Sequence, residues 1–348
     1  GRRTVDLLFN APGVKLAALF SPEHGLNGDL DARVSSTIEP VTKLVAHSLY
    51  GTTRRPTREM LQDLDALVFD IQDAGARFYT YITTMMYAME EAAKQGIRFF
   101  VLDRPNPITS SIVQGPMMEP DLKSFTGYFP LPVRPGMTVG ELAKMFNDES
   151  KIGAGLHIVK MANYRRSAWH DQTGLPWIAP SPNLPTLTAT TLYPGVAIVE
   201  GANVSVGRGT DTPFELVGAP WINGKEFAEY LNQRRIPGVS FLVEHFTPRS
   251  DRYTNQLCYG VRVVIRDRNE LDTPKLGVEL TSALHRLYGN KFQLENTRGM
   301  IGSRWVIQAI KDGTDARMIA QRWEASLEEF RKLRAGYLLY PATVTSEN

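Results

Sequence analysis

Cysteine is almost absent: the chain of 348 residues carries one, Cys258. A single thiol excludes an internal disulfide and a cysteine-rich metal site, and reads as a small core residue. It does not exclude an oxidising compartment. No apolar run approaches the ~18–20 residues that cross a bilayer. No secretory leader is visible, and the start Gly1-Arg2-Arg3-Thr4, without an initiator Met, is that of a processed or truncated chain. Charge of one sign is missing too. A formal net charge of +2 gives no bias toward nucleic acid or acidic membranes, and the short basic cluster of Arg54, Arg55 and Arg58 reads as a solvated face. There is no G-x-G-x-x-G after a strand, no H-E-x-x-H and no G-x-S-x-G elbow. Gly218 to Lys225 is one residue too long for a phosphate loop and is followed by Glu226. No cofactor or metal is implied, and neither an internal repeat nor a low-complexity tract is found.

What is present suits a folded protein of about two domains. Ser21-Pro22-Glu23-His24-Gly25 follows the apolar run Leu16–Phe20. Pro22 and Gly25 stop that strand and turn the chain, presenting a carboxylate and an imidazole at a strand end. Thr4–Phe9 is open to either helix or strand. Thr57 is expected to cap a helix over Glu59, Met60 and Leu61. Leu64–Ile71 is a near-continuous apolar strand, Thr80–Gln95 a helix stopped by Gly96, and Ile97–Leu102 the next strand. This is a βαβ unit with a parallel sheet. The Pro- and Gly-rich residues 110–137 read as a surface excursion. Thr138 opens a helix with a capping box to Glu141, and Leu156–Met161 is a further strand. Pro176–Pro185 is a rigid loop around Trp177, Ser181 and Asn183. Tyr193-Pro194-Gly195 marks the expected domain change. Beyond it strands are expected at Val196–Glu200, Val239–Val243 and Tyr259–Ile265, with helices at Gly224–Gln233, Leu276–Tyr288 and Asp315–Arg334. The expected fold is α/β: a Rossmann-like parallel-sheet domain over 1–194 and a smaller α+β domain over 195–348.

Three strands end in polar turns, SPEHG, DIQDAGAR and LDRPNP. Three in succession argue for one crevice at the carboxyl ends of a sheet, although Asp73 and Asp103 can each equally cap a local turn or helix. Glu23 and Asp73 across neighbouring strand ends form the paired carboxylates of glycoside hydrolysis. Tyr79, Tyr81, Trp177 and Trp221 suit sugar faces. Arg208, in the glycine-flexed turn Gly207–Asp211, can offer a planar fork to a carboxylate, or can simply be a surface arginine in a hairpin turn.

The sequence resembles the bacterial exo-β-N-acetylmuramidases, the NamZ-like family. The resemblance is carried by LFSPEHG (19–25), SLYG (48–51), FDIQDAGARFYTY (69–81), LDRPNP (102–107), RPGMTVGELAKMFN (134–147), PSPNLPT (180–186), LYPG (192–195) and GRGTDTPFELVGAPW (207–221). It implies an enzyme that releases terminal N-acetylmuramic acid from the non-reducing ends of peptidoglycan fragments, acting in the periplasm or outside the cell. It implies a cleft between two domains, and no nucleotide. It places the catalytic glutamate at Glu23, and His24 beside it is likewise expected to be catalytic. Asp73 is the expected second group, with Glu119 and Glu200 in reserve. Arg77, Tyr79, Asn106, Asn183 and Arg208 are the expected sugar-binding residues, Arg208 taking the lactyl carboxylate with Arg77 next in line. Two departures from the family pattern are Arg134-Pro135-Gly136 and Asn27-Gly28. Rival classes are a silent wall-sugar binder, which needs no Glu23, and a metal- or phosphate-dependent hydrolase. Consecutive strands are neighbours roughly two-thirds of the time. Adjacent strand ends would bring Glu23 and Asp73 to the roughly 5–5.5 Å of a retaining pair, and a strand near Leu44–Leu49 between them to the wider inverting spacing. Retention is the expectation.

Overall fold

The computed structural model describes residues 2–342. Gly1 and residues 343–348, to which the expected second domain extends, lie outside the described residues. Short α1 (Thr4–Phe9) leads to β1 (Leu19–Ser21), β2 (Thr37–Ile38) and β3 (Val45–Ser48). β1 runs parallel to β3, with Phe20 opposite His47, and β2 closes the other side of β3. The expected helix after Thr57 does not form. Its hydroxyl accepts from the Met60 amide at 3.3 Å, but Asp63 (φ 61°) turns the chain after a few residues into the next strand.

β4 (Ala66–Phe69), α2 (Tyr81–Lys94) and β5 (Arg98–Leu102) form the expected βαβ unit, with Leu67 opposite Phe99. The buried face of α2 carries Ile82, Met85, Met86 and Met89, the 3–4 spacing of a helix packed on a sheet. α3 (Val139–Glu149) starts on the Thr138–Glu141 capping box, and β8 (Leu156–Val159) extends the parallel sheet beside β5.

Residues 110–137 are not a surface excursion. They form the antiparallel pair β6 (Gln114–Met117) and β7 (Pro132–Arg134), largely buried. Their prolines are tolerated because a two-stranded ribbon leaves half of its N–H groups outside the ladder.

Tyr193-Pro194-Gly195, where the domain change is expected, lies inside a helix, α4 (Leu187–Val196). A Cβ on Gly195 would stand 2.2 Å from the Thr273 carbonyl, and one on Gly277 would stand 2.5 Å from the Gly195 carbonyl. The glycines therefore serve close packing of α4 against α6 (Thr273–Tyr288). The expected strand at Val196–Glu200 is the end of α4 followed by a 3-10 turn, Ala197–Val199. An apolar run buried on all sides has no period to tell strand from helix.

The second half holds β9 (Leu216–Ala219), α5 (Gly224–Gln233), β10 (Val239–Phe246) and β11 (Cys258–Ile265), an antiparallel sheet in the order β10-β11-β9 with α5 packed on it. α7 (Arg298–Ile301), α8 (Arg304–Lys311) and α9 (Ala316–Ala335) complete the chain. One apolar core runs from Leu61 to Tyr337 through both halves.

Candidate active site

Glu23 follows β1, where Pro22 and Gly25 end the strand as its residue types require. His24 takes a left-handed conformation (φ 69°) and donates Nδ1–H to the Leu30 carbonyl at 2.7 Å, fixing the turn. The Glu23 carboxylate is half-buried and accepts from the Thr80 hydroxyl at 2.5 Å. Thr80 is the residue before α2, and its hydroxyl serves Glu23 instead of capping the helix. Glu23 thus stands at a helix N-terminus, where a negative charge is favoured. The Tyr81 hydroxyl sits between the Glu23 carbonyl (3.0 Å) and the Pro180 carbonyl (2.9 Å). Tyr79 donates to the same Pro180 oxygen at 2.7 Å and packs edge-on against Tyr81. The rigid loop at Pro176–Pro185 is thereby tied to Glu23. The Tyr50 hydroxyl faces the Glu23 carboxylate; burial, then that carboxylate, push its proton affinity up to about 12.

Asp73 is buried at 6% exposure in the turn after β4. Oδ2 accepts from the Gly75 amide at 2.7 Å, and Oδ1 is buried without a partner. Burial raises its carboxyl to about 7, with the Gly75 and Ala74 amides opposing. The Tyr81 hydroxyl feels both the Glu23 and Asp73 carboxylates, and the buried Tyr193 hydroxyl is raised first by burial and then by Glu200, Glu23 and Asp73. The Tyr81 hydroxyl thus lies within electrostatic reach of Glu23 and Asp73, and the Tyr193 hydroxyl within reach of Glu200, Glu23 and Asp73. β1, however, is laddered to β3, the strand foreseen near Leu44–Leu49, and no ladder joins it to β4 among the described residues. The neighbouring-strand argument for retention is not supported.

The turns after β4 and β5 are knitted together. Gln72 Nε2 donates to the Asp73 and Pro105 carbonyls, both at 2.9 Å. Asn106 is buried, donating to the Met137 carbonyl and accepting from the Ile108 amide, and its Oδ1 would lie 2.4 Å from any Cβ on Gly75. Asn106 supports the Asp73 turn and is 3% exposed. Asp103 binds Thr138, the Gly140 amide and Tyr340, so it is a helix cap. Glu119 receives the Ser303 hydroxyl and the Arg304 amide at the start of α8, outside the Glu23 constellation. Trp221 bonds Tyr253, and Trp177 packs on His170; neither is bonded to the Glu23 group.

The two arginines expected to meet a carboxylate are already engaged. Arg77 is 1% exposed and spends its guanidinium on the Leu131 (3.2 Å) and Met300 (2.5 Å) carbonyls; burial lowers its pKa to about 9. It joins segments far apart in sequence and is buried. Arg208 is gripped by Glu200 (2.7 Å) and by both oxygens of Asp31 (3.0 Å), with Asp251 Oδ2 3.0 Å from its Nε, near enough for charge pairing but off the hydrogen-bond direction. Asn183 donates to the same Asp31 at 2.9 Å. These carboxylates hold the Arg208 proton well above the ordinary range. Burial raises the Glu200 carboxyl, which the Arg208 charge opposes. The cluster is a clamp between the Glu23 loop and the second half of the chain. Arg208→Ala is expected to lose about 1.5–3 kcal/mol, the worth of charge-assisted hydrogen bonds, with a smaller loss in high salt. Urea unfolding at two salt concentrations checks this; an unchanged midpoint would show that the clamp holds nothing.

Tyr50, Thr80, Asp31 and Tyr193 were missed from the sequence. Tyr50 ends the segment after β3, and the strand-end rule applied to SLYG finds it.

An α/β fold with acidic residues in the turns after β1 and β4 suits carboxylate chemistry of the glycosidase kind. The chain belongs to the exo-β-N-acetylmuramidase NamZ family: residues 1–188 match the N-terminal and 191–340 the C-terminal model of that family. It is 45% identical over 344 residues to the peptidoglycan β-N-acetylmuramidase NamZ of Bacillus subtilis (strain 168), covering 97% of this chain and 83% of that protein. Two solved DUF1343 family proteins from Bacteroides fragilis share the fold. One has TM-score 0.89 at 36% identity, covering 97% of this chain and 90% of that one. The other has TM-score 0.81 at 33% identity, covering 98% and 90%.

Proposed function

We propose that this protein is a glycoside hydrolase that removes terminal N-acetylmuramic acid from the non-reducing ends of peptidoglycan fragments. The observation that carries this reading is the half-buried Glu23 carboxylate at the end of β1, oriented by the Thr80 hydroxyl, with the Tyr81 hydroxyl within electrostatic reach of both Glu23 and Asp73. Glu23 acts as the acid/base: it gives a proton to the leaving glycosidic oxygen and then takes one from the attacking water. Asp73 orients the sugar's 2-acetamido group so that its carbonyl oxygen is aimed at the anomeric carbon. That oxygen bonds to the carbon as the glycosidic bond breaks, and water then opens the resulting ring. Two displacements at one carbon give net retention. In the division proposed at 194/195, the first domain supplies both acids and the second supplies Arg208 to the clamp on Asp31. The proposed working place is the periplasm or the outside of the cell; fractionation of cells making the protein tests that.

The direct test is turnover of a chromogenic N-acetylmuramic acid β-glycoside beside its N-acetylglucosamine analogue. Release of chromophore from neither would end the reading. Proton NMR of the first-formed sugar is expected to show the β-anomer before mutarotation; an initial α-anomer would exclude the acetamido route.

A further inference from the structure

N-Acetylmuramic acid differs from N-acetylglucosamine by a lactyl ether ending in a carboxylate. A site that selects it needs a cation with free donors, and both arginines that the sequence offered are committed elsewhere. Arg77 is buried on backbone carbonyls, and Arg208 already faces Glu200, Asp31 and Asp251. Adding a fourth carboxylate to Arg208 would set like charges together, which costs free energy.

Arg54 stands differently. It is exposed, and among the described residues no carboxylate pairs with it. It is nevertheless held in place: its guanidinium lies 4.1 Å from the Phe125 ring centre and 5.8 Å from that of Tyr50. Tyr50 and Phe125 stack at 6.0 Å, and the Tyr50 hydroxyl faces Glu23. One phenol ring, close in size to a pyranose, therefore separates the acid/base carboxylate from a pre-positioned free guanidinium. The neighbouring Arg55, by contrast, is spent on Glu90 and Glu91. A guanidinium stacked on an aromatic face keeps its in-plane donors free, and its fork matches a carboxylate.

We propose that Arg54, stacked on Phe125 beside Tyr50, binds the lactyl carboxylate and sets the preference for the muramic sugar. The inference rests on the function proposed above. In it the basic cluster of residues 54–58, which the sequence offers only as a solvated face, contributes a specificity residue.

The test measures kcat/KM of the wild type, Arg54→Ala and Arg54→Lys on the muramic β-glycoside, its neutral lactyl amide and the N-acetylglucosamine analogue. In Arg54→Ala the preference for the acid over the amide is expected to fall roughly ten- to a hundredfold, the worth of one charge-assisted pair. The fall should be carried mainly by KM, and Lys should restore part of it. An unchanged preference, or an equal loss on all three sugars, would overturn the assignment. Calorimetric binding of free N-acetylmuramic acid to Glu23→Gln, with and without Arg54→Ala, reads recognition apart from turnover. Weaker binding in the double variant, with no turnover by the wild type, would sink the hydrolase reading and keep the Arg54 assignment. Equal binding by both would sink the assignment alone.

Discussion

Glu23→Gln is expected to lower kcat/KM on the muramic β-glycoside about 10²–10⁴-fold, the usual contribution of one acid–base group. The change keeps the side chain's shape, and its amide oxygen can still accept from Thr80. The backbone tie, Tyr81 to the Glu23 carbonyl at 3.0 Å, is untouched. Stability should therefore stay within about 1 kcal/mol of wild type, as for most substitutions that leave the core packed. The loss should lie in kcat, because the proton is needed only as the bond breaks. Steady-state kinetics beside a thermal melt check both halves. A variant that folds and turns over at near-normal kcat/KM would remove Glu23 from the chemistry.

Asp73→Asn is expected to have two large and opposite effects. Burial raises this carboxyl from 3.8 to about 7. Between those values the folded protein holds a proton that the unfolded chain has released, so stability falls as pH rises through this window. The stability associated with the protonated acid is complete below about pH 4 and is lost above about pH 7. At about 1.4 kcal/mol per pH unit the full span is about 4 kcal/mol. The amide has no such dependence, but its NH₂ takes the unpartnered position of Oδ1 and costs about 1–3 kcal/mol. The variant should thus be less stable than wild type at pH 4.5 and equal or more stable at pH 8.5, where its turnover is also reduced at least about a hundredfold. Urea titrations across that range read the first effect and kinetics at pH 8 the second. Parallel stability curves for the two proteins would show that Asp73 is not held protonated by the fold.

Local pattern was enough wherever one signal decided the structure. The βαβ unit from Leu64 to Leu102 has a long apolar strand, a helix with its methionines at helical spacing and a glycine stop. The Thr138 capping box and the bounds of α5 were equally legible, because propensity, capping and burial agree there. Glu23 was legible because a proline and a glycine force a turn beside a charged pair at the end of a strand. Pattern failed where burial was uniform or where a residue type served a distant partner. Pro194 and Gly195 look like a domain boundary, yet they lie in a helix and Gly195 is small because α6 passes against it. Residues 110–137 look like a solvated loop, yet Pro116 and Pro132 lie in a buried ribbon.

The charges show the same division most clearly. The sequence by itself determined which acids end strands. It could not determine which arginine is free, since that depends on which carboxylates come within about 3 Å across the fold, and charge-assisted pairs form only at that range. Asp31 and Arg208 are 177 positions apart and bonded; Arg54 and Arg55 are adjacent, and among the described residues only Arg55 is paired with carboxylates. Only the tertiary structure decided those pairings, because they depend on distances that the order of residues does not contain.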